Sequence, residues 1–304
     1  MLRATGIDNL IRLLEKAVEK NLDSNKRVGI VFSGGIDSSV ISAIAKKFVD
    51  VACYSAYVQA SEDSKHIRKA ASALDLKLRE FEITEEILKK ELPSIVKISG
   101  KNPVKVGAVT PLYFSAKMAA KDNIKLMLSG QGGDELFGGY KKYLDTILEH
   151  GYDTLKEEME NDVRNIYEEN LNREIEICKN YGIEIRYPYL DENFVNEVQK
   201  IDYSLKVYEI KDPNAKEEFE CVDIINGRRF IRKYLLRKIA RKLKLPDFII
   251  NKRKKASQYS SGSHKLLIKL AKTLNYKEKA KKEGRRDFLR YFIESIYKEH
   301  VQNV

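Results

Sequence analysis

Tryptophan is absent from this chain of 304 residues, and cysteine, histidine and proline number only three, four and six. Cys53, Cys178 and Cys221 lie far apart, with no CxxC pair and no histidine cluster beside them. That excludes a disulfide framework and a zinc site, and leaves three buried or incidental thiols. His66, His150, His264 and His300 match no metal spacing and no triad, so they are expected at the surface. No apolar run approaches the roughly twenty residues of a membrane helix. The opening stretch MLRATGIDNLIRLLEKAVEK carries acids at amphipathic spacing, which reads as a surface helix and not as a signal peptide. These absences imply a cytoplasmic protein with no membrane partner.

Hydrophobic residues make up 43% of the chain, enough for one large domain or two lobes around a substantial core. The net charge of +11 is unevenly spread. From Leu205 to Val304 there are 27 basic and 12 acidic residues, a net of +15, against −4 for the remainder. A basic portion facing a mildly acidic one suits a polyanionic partner, a nucleotide or an RNA, although most such lysines are expected to be solvated surface.

Strand and helix signals alternate through the first half. VGIVF, VACYSAYV, LKLREFEI and IKLML read as strands. Between them VISAIAKKF, SEDSKHIRKAASALDL, TEEILKKEL and TPLYFSAKMAAKDN read as helices, the last with Pro111 at its start. The fold class expected is α/β, a doubly wound and mainly parallel sheet flanked by helices. From about Lys141 the strand signal fades into charged helical segments, so a mostly helical C-terminal lobe follows. The expected organisation is one domain over 1–304, with an α/β core at 22–150 and a helical lobe at 151–304.

SGGIDSS, at 33–39, falls where the first strand meets the first helix of the sheet. A helix N-terminus there offers unpaired N–H groups and the positive end of a dipole to an anion. Gly34 and Gly35 let main chain approach phosphate oxygens, Ser33 and Ser38 add hydroxyls, and Asp37 offers a carboxylate to a magnesium ion. The GxxxxGK[ST] loop is absent. A plain glycine turn capping a helix is the simpler alternative, but strand, Ser-Gly-Gly-x-Asp-Ser and apolar helix together favour phosphate binding.

SGGIDSS resembles the pyrophosphate loop of the ATP-pyrophosphatase group, which splits ATP into AMP and pyrophosphate. LSGQGGDELFGGY, at 128–140, resembles the second signature of the asparagine synthetase family. TPLY ahead of it, and GIEIRYPYLD, KYLLR and LPDFIINKRKKASQYSSG after it, match in the family's order, so the resemblance covers roughly Val28 to Gly262. It implies an adenine nucleotide alpha hydrolase-like fold and an ATP-dependent ligase that adenylates a carboxylic acid, aspartate by default. Ammonia then attacks the acyl-adenylate to form an amide. Carried over by position, Ser33, Gly34, Gly35, Asp37 and Ser38 would hold pyrophosphate, and Asp37 and Asp134 would bind Mg2+. Main chain near Val31, Tyr57 and Gly130 would line the adenine site of ATP. Lys255 would neutralise charge in the adenylation transition state, and Arg186 would hold the active-site wall or contact ligand.

Three positions depart from the family pattern. Gln131 stands where glutamate is frequent, and glutamine cannot accept a proton at neutral pH. Gln131 would then orient a ligand, leaving Glu135 or the substrate as base. Asn172 stands where the family tends to aspartate. The chain starts Met1-Leu2, without the N-terminal cysteine of a glutaminase domain. That implies a stand-alone form supplied with free ammonia or served by a separate glutaminase subunit. A homo-oligomer is expected. Two alternatives stay open, a tRNA-modifying member of the same ATP-splitting group and a non-catalytic partner of a glutaminase.

Overall fold

The computed structural model describes residues 4–58, 62–212, 218–253 and 261–302. Its first half alternates as expected, through α1 (Ala4–Leu22), β1 (Arg27–Val31), α2 (Ile36–Ala45), β2 (Asp50–Tyr57), α3 (Glu62–Ala73) and β3 (Lys77–Glu82). It continues through α4 (Glu85–Ser99), α5 (Pro103–Lys121), β4 (Leu126–Leu128) and the short α6 (Gly133–Phe137). Helices dominate the rest: α7 (Lys142–Ile166), α8 (Asn172–Asn180), α9 (Glu192–Gln199), α10 (Tyr234–Lys242), α11 (Asp247–Ile250), α12 (Ser263–Thr273), α13 (Tyr276–Lys282) and α14 (Phe288–Tyr297).

The strands β1 to β4 and a fifth, β5 (Glu184–Arg186), form one parallel sheet in the order β3-β2-β1-β4-β5. Side chains alternate between its faces, as a pleated strand requires. Val51 and Cys53 of β2, with Leu126 and Leu128 of β4, pack toward α1, α2 and α10. Ala52, Tyr54 and Ala56, with Met127, pack toward α4, α5, α8, α12 and α14. Both faces are covered, which explains the nearly unbroken apolar strands. Strand order reverses between β1 and β4. Loops leaving the carboxyl ends of those two strands therefore diverge and open a crevice, the usual ligand position in such sheets.

α1 buries Leu10, Leu14, Ala17, Val18 and Leu22 along one stripe, confirming the amphipathic reading. The three cysteines are buried free thiols, and burial pushes Cys53 up to about 12. Among the described residues no helix is long and apolar enough to cross a membrane.

Three features differ from the sequence reading. Pro111 lies inside α5 and does not start it; the helix begins at Pro103, capped by the Asn102 side chain, which accepts from Val104 and Lys105. A proline at 111 deprives the Gly107 carbonyl of its helical donor. The Ser263 hydroxyl donates to that carbonyl at 2.8 Å instead. The second difference is a small antiparallel sheet, β6 (Tyr208–Ile210), β7 (Asp223–Ile225) and β8 (Arg228–Ile231), in the order β6-β8-β7. Its hairpin turns on Asn226-Gly227, both at positive φ, the Asn-Gly pair that a two-residue turn prefers. The third concerns histidine. His150 and His300 are exposed, but His66 and His264 are half-buried, and His66 Nε2 lies 2.8 Å from the Gly34 carbonyl with its ring edge-on to Phe248.

Candidate active site

Strand β1 ends at Val31, half-buried, and the chain turns through Ser33, Gly34 and Gly35 into α2. No side chain caps α2, so its first N–H groups face the crevice. The Ser33 and Ser38 hydroxyls lie 3.1 Å apart, and the Ser33 N–H donates to Ser38 Oγ at 3.2 Å, holding the loop closed on itself. Asp37, in the first turn of α2, is half-buried.

Across the switch point β4 delivers Ser129, Gly130 and Gln131. Gly130 has no room for a side chain: a Cβ would lie 2.9 Å from Asp37 C and Ser38 N. The two glycine-rich loops are therefore packed backbone to backbone. One turn later α6 presents Asp134 and Glu135, both buried. A Cβ on Gly139 would strike the Asp134 carboxylate and the Lys233 side chain, so glycine is required there for packing.

Asp37 and Asp134 converge on one cation, the Lys233 ammonium. Its Nζ lies 2.5 and 2.6 Å from the two Asp37 oxygens and 2.7 Å from Asp134 Oδ1. Lys233 is 2% exposed and starts α10 with φ at 56°. That backbone region is costly for a non-glycine residue and is kept where surroundings over-determine it. They do so here. Arg232 next to it donates to the Gly139 carbonyl at 2.6 Å and pairs with Asp223 at 2.8 Å, and Arg237 donates to the Arg232 carbonyl at 2.8 Å. KYLLR matches the family pattern, yet the sequence alone assigns Lys233 no role. Nothing local marks it, because its partners are 196 and 99 residues upstream.

Gln131 leaves this cluster sideways. Its Nε2 donates to Glu174 Oε1 at 2.6 Å, and its backbone N–H reaches Ser129 Oγ at 3.3 Å. Glu174 is half-buried on α8, with the Tyr187 hydroxyl 3.5 Å from its other oxygen. Burial pushes its carboxyl up to about 7; hydrogen bonds from Gln131 and Tyr187 only partly oppose this. Glu135 is also held above the ordinary carboxylate range, by burial first and by the Asp134 charge second, and accepts the Tyr140 hydroxyl at 2.5 Å. Sequence reading missed Glu174, which looks like any acid in the charged run NREIEICKN.

The remaining expected residues are placed as follows. Tyr57 ends β2 with its carbonyl accepting from Ile83 N–H at 2.8 Å and its hydroxyl engaged by Arg68 at 2.9 Å and by Glu80. Arg186 points toward the end of α1, pairing with Asp23 at 2.6 Å and donating to the Asn21 carbonyl at 3.1 Å. Asn172 opens α8 and is exposed. Lys255 lies outside the described residues. Just beyond it Ser261 accepts the Val58 N–H at 2.9 Å, next to the end of β2.

Residues 9–153 and 147–303 match the protein family described as asparagine synthase. A Methanocaldococcus jannaschii protein named as a glutamine-hydrolysing asparagine synthetase is 36% identical over 283 residues, 89% of this chain and 52% of that one. Asparagine synthetase B of Escherichia coli is 29% identical over 217 residues, 65% of this chain and 38% of the relative. The chain thus spans about half the length, or less, of these relatives. Among solved structures, the NMN synthetase of Francisella tularensis aligns over 98% of this chain and 93% of its own at 12% identity, with a TM-score of 0.43. With a match that runs from α1 to the last helix and through both glycine-rich loops, the chain belongs to the asparagine synthase family.

Proposed function

We propose that the chain is an ATP-dependent, AMP-forming carbon–nitrogen ligase that adenylates a carboxylic acid, aspartate by family kinship, and passes the acyl group to ammonia. One observation carries the reading: Asp37, Asp134 and Lys233 meet beside the uncapped start of α2, at the carboxyl ends of β1 and β4.

The chemistry fits that arrangement. A carboxylate does not react with ammonia, because its leaving group would be oxide. Transfer to the α-phosphate of ATP turns the leaving group into AMP and releases pyrophosphate. Ser33 to Ser38 would receive the pyrophosphate on open N–H groups and hydroxyls. Lys233 would supply a fixed cation at that end of the nucleotide, needing no reorganisation as charge develops. Lys255, by family kinship, would add a second cation. Val31, Tyr57 and Gly130 would border the adenine through main chain, with the Tyr57 carbonyl already occupied by Ile83.

The two aspartates also fit a magnesium ion. Their oxygens already converge on a single positive charge, and carboxylates are the hard donors magnesium takes alongside phosphate oxygens and water. Asp37 and Asp134 would hold it, and when bound it would offset the phosphate charge. Ammonia would come free or from a separate glutaminase.

The test is ATP–pyrophosphate exchange over a panel of carboxylic acids with L-aspartate first, followed by AMP formation with and without ammonium chloride. Exchange that needs one acid, and AMP release that ammonium accelerates, is the expected result. No exchange above background with any acid would overturn the reading.

A further inference from the structure

We propose that Glu174, held by Gln131, is the base that takes the proton from the attacking amine. The inference rests on the ligase reading above and names a residue for its second half-reaction.

The geometry carries it. Gln131 belongs to the loop whose Gly130 touches Asp37, so the Gln131 side chain starts at the wall of the nucleotide site. It reaches away from the phosphate end to Glu174 at 2.6 Å. The amide therefore replaces an acid in position only and delivers the site to a carboxylate one residue further out. Glu174 sits one turn after a π-helical stretch, Tyr167–Leu171, that leads directly into α8. Such local widening frequently marks a functional position. Among the described residues Glu174 makes no salt bridge, and the charge of neighbouring Arg173 only partly favours its ionised form. Its carboxylate is instead held between the Gln131 amide at 2.6 Å and the Tyr187 hydroxyl at 3.5 Å.

Glu135 is the weaker candidate. It is 3% exposed, accepts the Tyr140 hydroxyl and stands behind Asp134 in α6. Its negative charge helps hold the Glu174 proton.

The groups around Glu174 are few. Tyr187 follows β5, Tyr167 lies in the π-helical turn, and Arg173 and Cys178 share its helix. From α4 and α5, Glu91, Lys117 and Tyr113 bond to one another. Burial outweighs Arg173, and the carboxyl is poised near neutrality at about 7. A base matched to working pH is the efficient one.

The step balances. The nitrogen lone pair of ammonia forms a bond to the acyl carbon, and one N–H proton passes to the Glu174 carboxylate. The carbon–oxygen bond to AMP then breaks, leaving a neutral amide. The base is active when ionised, so the rate should rise with pH through about 7.

The test uses Glu174→Gln, which keeps an acceptor for Gln131, with the acid that supports exchange in the wild type. Acid-dependent pyrophosphate exchange should be unchanged, which also shows that the variant folds. Amide formation, measured at fixed free ammonia, should fall about a hundredfold or more and lose the rising pH limb. Glu174→Asp should restore part of both. Amide formation at the wild-type rate with the same pH profile would overturn the assignment. Loss of exchange together with amide formation would overturn it too, since Glu174 would then serve adenylation or folding. Absence of exchange in the wild type is a separate outcome: it removes the ligase reading and takes the base assignment with it.

Discussion

Lys233 stands at the meeting of two carboxylates because three separate constraints coincide on one side chain. Its ammonium bridges Asp37 and Asp134, its backbone takes a left-handed turn to start α10, and Gly139 leaves room for its stem. Removing one partner of a buried ion cluster costs more than the cluster contributes, because the uncompensated charges stay inside. Lys233→Met should therefore destabilise the protein by about 3–5 kcal/mol at pH 7. The cost should come from the two aspartates left facing each other, so in an Asp134→Asn background, where one of those charges is already gone, the same change should cost less. A double-mutant cycle by urea unfolding at pH 7 would check this; no coupling would show that Lys233 matters for packing and not for charge.

At the scale of the element, α5 shows how one proline is accommodated by a residue far along the chain. Pro111 leaves the Gly107 carbonyl without a helical donor, and Ser263 at the start of α12 donates instead. An orphaned buried carbonyl costs about 1–3 kcal/mol, so Ser263→Ala should destabilise by that much. In a Pro111→Ala background the residue 111 N–H is restored, and the same change should cost about 1 kcal/mol less. A double-mutant cycle by urea denaturation that gives no coupling would refute the compensation. This pair also shows where sequence reading stops. Pro111 was placed at a helix start because proline is favoured there and the hydroxyl that rescues it is 152 residues away. The main strands, SGGIDSS and LSGQGGDELFGGY were legible because each is a local pattern of period and turn chemistry. β5 was hidden by its length of three residues, and the β7–β8 hairpin was marked only by Asn226-Gly227 between short charged strands. Lys233 and Glu174 were illegible for another reason. Their significance is a distance, and a lysine or a glutamate in a charged helix carries no sign of it.

At the scale of the whole molecule the charge asymmetry of the sequence becomes a contact between its parts. The basic C-terminal third reaches back to acids of the first half through Lys233 to Asp37 and Asp134, Lys242 to Asp8 at 3.2 Å, and Lys269 to Glu85 at 2.9 Å. Three of the lysines behind the +15 are therefore paired with acids of the first half, while the chain as a whole keeps a net charge of +11. The central pair has a consequence for ligand binding. While Lys233 bridges both aspartates, a magnesium ion alone meets carboxylates already engaged by a fixed cation. Magnesium arriving with pyrophosphate brings anionic oxygens that the α2 N-terminus and Lys233 can take, freeing the carboxylates for the metal. Magnesium chloride alone should leave the thermal midpoint unchanged, and magnesium with pyrophosphate should raise it. At a hundredfold excess over Kd the stabilisation is about 2.7 kcal/mol, which corresponds to roughly 5 °C for a chain of this size. Asp37→Asn should abolish the shift. A shift of equal size in that variant, or one produced by magnesium alone, would mean that the ligand binds elsewhere than at the junction of β1 and β4.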